Sequence, residues 1–261
     1  DTTGVRNVAV GHQALDTNTT GTDNVAMGFE ALGANSTGVR NIAFGTQALQ
    51  LNTTGDYNIA IGQSAVNFST TGNRNTAIGY AALRGQFGNS YSNNTAVGFN
   101  ALYNNSTGSD NTAVGYQAGN AITTGTNNTV IGNGVDASSA TVSNEITLGN
   151  SSIATLRCQV TTISSLSDAR DKTNISDLPA GLTFVNALRP VEFDWNMRDG
   201  GKVGIHDTGF IAQDLQAAQE ATNVHIPYLV YDNNPDKLEA GYGKLIPVLV
   251  KAIQELSAEI Q

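Results

Sequence analysis

Apolar and polar positions alternate in short bursts along the first 150 residues. Val8-Ala9-Val10, Val25-Ala26-Met27, Ile42-Ala43-Phe44 and Ile59-Ala60-Ile61 each follow an asparagine and precede a glycine. A period of two is the pattern of a pleated strand. The bursts keep time: Gly11, Gly28, Gly45, Gly62 and Gly79 lie 17 residues apart, and after one step of 19 to Gly98 the interval of 17 resumes at Gly115, Gly132 and Gly149. Asparagines run four positions ahead of these glycines from Asn7 to Asn128, and a Thr-Gly turn precedes most units. A second segment follows each glycine, as in Gln13-Ala14-Leu15 and Gln47-Ala48-Leu49, and is expected as a second short strand. Fixed periodicity means stacked units, not one globular core. Two strands and two turns in 17 residues predict one coil of a parallel β-solenoid, whereas helical repeats need about 33 residues or more.

The alternation also predicts faces. The larger strand residues are expected to fill the coil, and the alanine column (Ala9, Ala26, Ala43, Ala60, Ala77, Ala96, Ala113) to form a flat outer face suited to neighbouring chains around a shared axis. Thr76, Thr95, Thr112 and Thr129 replace the first large residue in later units, which predicts a wetter or narrower interior there. The Asn columns are expected to form hydrogen-bonded ladders in the turns.

Three segments follow from this pattern: a solenoid over 1–150, a slim connector over 151–166 where the repeat degrades, and an α+β region over 167–261. In the last, Ala180 to Leu188 has helical spacing and stops before Pro190, because the residue preceding proline avoids the α region. Val191 to Trp195 and Lys202 to Ile205 read as a hairpin, and a helix is expected from Gly209 to about Glu220. Ile246, Leu249, Ile253, Leu256 and Ile260, at steps of three and four, form either a coiled-coil seam or the packed face of an amphipathic helix.

Composition narrows the function classes. The net charge of −9 argues against binding nucleic acid or anionic membranes through net charge, and no apolar run approaches the ~20 residues of a membrane span. All five lysines lie after the repeats, so the boundary is also a charge boundary. Cys158 is the single cysteine and reads as a buried thiol. His12 and His225 have no partners at metal-ligand spacing, no calcium-binding repeat is present, and neither a metal nor a cofactor is expected. The repeats carry no paired carboxylates in a fixed setting, against a glycosidase. Tyr80, Phe87, Tyr91, Phe99 and Tyr103 cluster around the two-residue insertion, first as a packing adjustment and second as a contact surface; the sequence pattern of the repeats by itself marks no carbohydrate site. The chain opens in mid-repeat at Asp1, as a fragment would.

Ser167-Asp168-x-Arg170-x-Lys172-x-x-Ile175, then Leu188-Arg189-Pro190-Val191-x-Phe193-x-Trp195 and Gly209-Phe210-Ile211-Ala212-Gln213, resembles the endosialidase-type intramolecular chaperone family, which caps phage tail fibres, tailspikes and neck appendages. The Asn-h-Ala-h-Gly repeats (h, apolar) are similar, more weakly, to the left-handed β-roll heads of trimeric adhesins. The first resemblance implies a homotrimer whose last domain directs folding of the fibre and then cuts between Leu166 and Ser167. Ser167 is the implied nucleophile and Lys172 its base, a role open to lysine only where burial or positive charge favours the neutral amine. Arg170 is implied as that charge or as an ion-pair partner, with Asp168 and His206 in support. Asp171 stands where the family often has an apolar residue; a carboxylate beside the lysine favours the ammonium and is expected to slow the cut. A phage virion part contacting a host receptor and other virion proteins is one expectation; a bacterial cell-surface adhesin with a folding cap is the other.

Overall fold

The computed structural model describes residues 3–153, 155–157, 167–198, 200 and 202–260. The chain divides into two compact units, Asp1–Ser152 and Ile153–Gln261.

The first unit is a parallel β-solenoid. Nine three-residue strands stack in sequence order into one sheet: β1 (Val8–Val10), β2 (Val25–Met27), β3 (Ile42–Phe44), β4 (Ile59–Ile61), β5 (Thr76–Ile78), β6 (Thr95–Val97), β7 (Thr112–Val114), β8 (Thr129–Ile131) and β9 (Ile146–Leu148). The register is in step throughout: Ala26 faces Ala43, Ala43 faces Ala60, and across the insertion Ala77 still faces Ala96.

The faces are the reverse of the sequence expectation. From Ala26 to Ala113 the strand alanines are fully buried, while Phe44 is 52% exposed and Met27, Ile61 and Ile78 also lie outside. A coil of 17 residues is too narrow for two large side chains on facing walls. Its interior takes the strand alanine, a second alanine (Ala31, Ala48, Ala65) and one larger residue of the return segment (Leu32, Leu49, Val66). The threonines that replace the first large strand residue therefore sit on the outer side, half-buried, and do not report a wetter interior.

The return segment is not a second strand. Gln47 (φ 57°) and Leu49 (φ 52°) both adopt the left-handed conformation, as do their equivalents in most units. Such residues ordinarily avoid it, at about 1–2 kcal/mol each. Hydrogen bonding offsets this cost: Gln47 N donates to Phe29 O in the preceding coil (2.8 Å) and Leu49 N to Ala65 O in the following one (3.0 Å). At the glycines that end the strands from Gly11 to Gly115 no side chain fits. A Cβ on Gly45 (φ +137°) would lie 2.7 Å from the carbonyl carbon of Gly62.

Buried asparagine ladders join the coils. Asn58 Nδ2 donates to Gly72 O (2.8 Å), and its Oδ1 accepts from the backbone N and the Nδ2 of Asn75, both at 3.0 Å. Replacing Asn58 by leucine strands the carbonyl of Gly72 and the amide of Asn75 in a dry interior. At about 1–3 kcal/mol per unsatisfied group, chemical denaturation should show a loss of about 2–5 kcal/mol; a loss under 1 kcal/mol would contradict the ladder's role.

The two-residue insertion is absorbed by Tyr91, which stands where most other coils have the glycine of the Thr-Gly turn. Its ring is buried, its hydroxyl donates to Leu83 O (2.8 Å), and burial pushes that hydroxyl's pKa well up. Gly85 makes the room, since a Cβ there would lie 2.4 Å from the Tyr91 hydroxyl.

The second unit is α+β. Helices α1 (Leu182–Ala187), α2 (Ala212–Thr222) and α3 (Leu245–Glu259) enclose a core that includes Phe184, Leu215, Leu229 and Val248. Strands β10 (Val191–Asn196) and β11 (Val203–Gly209) form an antiparallel hairpin with an irregularity at Asp194/Asn196, and β12 (Val230–Tyr231) pairs with β13 (Glu239–Ala240). Helix α1 is closed at Leu188, which is extended (ψ 143°), one residue ahead of Arg189, the position that Pro190 bars from the α region. Its start is capped from far along the chain: Glu255 Oε2 accepts from Leu182 N at 2.6 Å. Helix α3 packs on its own unit through Leu245, Val248 and Ala252. The seam Ile246, Leu249, Ile253, Leu256 and Ile260 lies on the exposed side, so it is not the face that fills this core.

Candidate functional site

The residues from Ser167 to Lys172 fold into a single tight turn. Ala169–Asp171 form one 3-10 turn, capped by Asp168, whose Oδ1 accepts from Arg170 N at 2.9 Å. Asp171 N donates to Asp168 O and Lys172 N to Ala169 O, each at 3.2 Å. A 3-10 turn completes a revolution in about three residues. Lys172 is thereby returned beside Ser167, and its Nζ lies 2.7 Å from Ser167 Oγ and 3.3 Å from Ser167 O. A spacing of five in sequence becomes a direct hydrogen bond between a hydroxyl and an amine, a geometry that nucleophilic catalysis can use.

Asp168 and Arg170 hold the turn. Arg170 Nη2 reaches Asp168 Oδ2 at 2.5 Å, and Arg170 Nε contacts both carboxylate oxygens. The guanidinium holds the Asp168 carboxyl below the usual carboxylate range, and Arg170 is raised in return. This contribution is therefore complete above the normal carboxylate pKa and fades as pH falls through the lowered one. Of the two roles open to Arg170, its contacts are those of the ion-pair partner. Asp171 is exposed, as are Ser167 and Lys172.

The other sequence-derived site residue lies elsewhere. His206 is on β11, its Nδ1 3.0 Å from Asp194 Oδ1 across the hairpin, and no contact with Ser167 or Lys172 is found among the described residues. Leu166, on the far side of the expected cut, lies outside the described residues, as does most of the connector. Sequence reasoning missed Glu255 as the cap of α1, because no local signal links residues 73 positions apart.

Residues 167–225 match the family model described as chaperone of endosialidase. The match begins at Ser167 itself, spans under a quarter of the chain, and supports a role in trimer folding. No curated protein and no solved structure matches the chain.

Proposed function

We propose that this chain is part of a homotrimeric fibre whose C-terminal unit aligns three copies, lets the solenoids zip together, and then cuts the chain before Ser167. The contact between Lys172 Nζ and Ser167 Oγ, at the first residue of the chaperone match, carries this reading. In the reaction, Ser167 Oγ attacks the carbonyl carbon of Leu166 while the Lys172 amine takes the hydroxyl proton. The peptide C–N bond breaks as the ester forms, and the proton passes to the departing nitrogen of Ser167. Water then hydrolyses the ester, leaving a carboxylate on Leu166 and a free amino terminus on Ser167.

A lysine amine works as a base once it is removed from water. Both members of the pair are exposed in the single chain, so we place their covering in the neighbouring copies of the assembled trimer. Cutting would then follow assembly and not precede it. Two uncovered apolar surfaces support the assembly itself: the outer ladder of Met27, Phe44, Ile61 and Ile78 on the solenoid, and the α3 seam. The outer ladder replaces the alanine column as the proposed face toward the axis.

The biological setting we propose is a phage tail fibre or appendage that contacts a host surface and other virion proteins. A bacterial trimeric adhesin is the second reading, favoured by the likeness of the repeats to adhesin heads. The folding role has a direct test. Chains ending at 166 from synthesis should yield insoluble or mis-sized assemblies, because near-identical coils allow slipped registers. Soluble repeats with the light-scattering mass of a trimer would reject the role.

A further inference from the structure

The aromatic group around the insertion separates into three parts. Tyr91 is buried in the coil, Tyr80, Phe99 and Tyr116 stack ring on ring, and Phe87 belongs to a third group on the return segments. In that third group the Arg84 guanidinium carbon lies 4.3 Å from the ring centre of Phe68 and 5.3 Å from that of Tyr103. Phe87 stands edge-on to Phe68 at 6.0 Å and is 78% exposed.

Among the described residues Arg84 is a cation without a carboxylate partner. Its Nη1 donates to Tyr103 Oη at 2.7 Å, and no other hydrogen bond from its guanidinium is found among the described residues. In a chain of net charge −9, this guanidinium is fixed between two rings with its Nε and Nη2 edge uncommitted. A planar fork held in place loses little freedom on binding and matches a carboxylate through two parallel hydrogen bonds. Beside it, Phe87 offers an open ring on the loop of the 19-residue coil, and surface loops held by a rigid scaffold are where binding residues concentrate.

We propose that Arg84, Phe68, Phe87 and Tyr103 form a binding site for an acidic saccharide, Arg84 holding the sugar carboxylate and Phe87 receiving the apolar face of the ring. Gln86 and Asn89 lie on the same loop and bring side-chain amides, the kind of group that pairs with sugar hydroxyls. Addition of an acidic peptide as a strand is disfavoured at these positions because their backbone is already committed: Phe68 N donates to Arg84 O (3.1 Å) and Gly85 N to Tyr103 O (3.2 Å). The proposal deepens the host-contact part of the fibre reading by naming its ligand class.

The test is calorimetric titration of the full chain with a galacturonic acid tetrasaccharide and with sialyl-lactose, maltotetraose and tetraglutamate serving as controls. At least one acidic saccharide should bind. Arg84→Gln should weaken it tenfold or more and Phe87→Ala severalfold, and Phe87→Ala should leave the melting temperature unchanged because the ring is exposed. The proposal is overturned if neither acidic saccharide binds, if Arg84→Gln binds as tightly as the parent, or if maltotetraose or tetraglutamate binds equally well. A chain that trimerises and cuts itself yet binds no acidic saccharide would refute this site while leaving the fibre reading standing.

Discussion

Ser167→Ala is expected to leave the chain in one piece and still trimeric. In the proposed mechanism the nucleophile serves only the cut, whereas alignment of the copies is assigned to surfaces such as the α3 seam. Lys172→Ala should behave alike, since losing a positioned base costs roughly 10²–10⁴-fold in rate, enough to suppress cutting over the period in which the parent is processed. Asp171→Leu should speed the cut, on the sequence expectation that the native carboxylate slows it. Intact mass on freshly made and aged protein, with a denaturing gel, reads all three. A fragment beginning at residue 167 in the Ser167→Ala chain would sink the mechanism.

Placing aspartates at Phe44 and Ile61 together should yield solenoids that fold but fail to associate. Both side chains lie outside the coil, so the single chain loses no interior contact. In the trimer each copy would bring two carboxylates into an apolar interface and lose about 1.5–3 kcal/mol per apolar side chain left unburied. Ala60→Leu makes the opposite demand, because Ala60 is fully buried and the added methyl groups must displace neighbouring coils. It should lower solenoid stability by about 1–3 kcal/mol or more whatever the oligomeric state. Size-exclusion with light scattering and circular dichroism separate the two effects. A stable trimer of the double aspartate chain would show that the outer ladder does not face the axis.

The solenoid was legible because its period is written in glycine and asparagine, residues whose placement the backbone dictates. Which face pointed inward was not legible. An Ile-Ala-Ile strand reads the same whether its alanine packs inward or outward, and the decision falls to the width of the coil, a property of the closed turn that no single strand carries. The return segment misled for a related reason. Leucine and glutamine at positive φ violate local preference, and only hydrogen bonds to coils 17 residues away hold them there. At the site, Ser167 and Lys172 were readable from spacing and resemblance, while their direct contact needed the Asp168 cap and the 3-10 turn. His206 reads from the sequence equally as site support or as a loop histidine, and its hydrogen-bond partner is Asp194, across its own hairpin.

The glycine stack has a consequence for how such a rod can change over generations. Each coil meets the next through the same bare backbone contact, so a copy inserted or deleted as a whole 17-residue unit presents both neighbours with the surfaces they already had. Growth in such a rod is therefore modular and quantised, at about 4.8 Å per added unit, like leaves added to a table. The coil that carries Tyr91 and Gly85 is the exception. Its lengthened loop cannot be exchanged with its neighbours, and it marks one fixed height on a shaft whose length is otherwise free to vary.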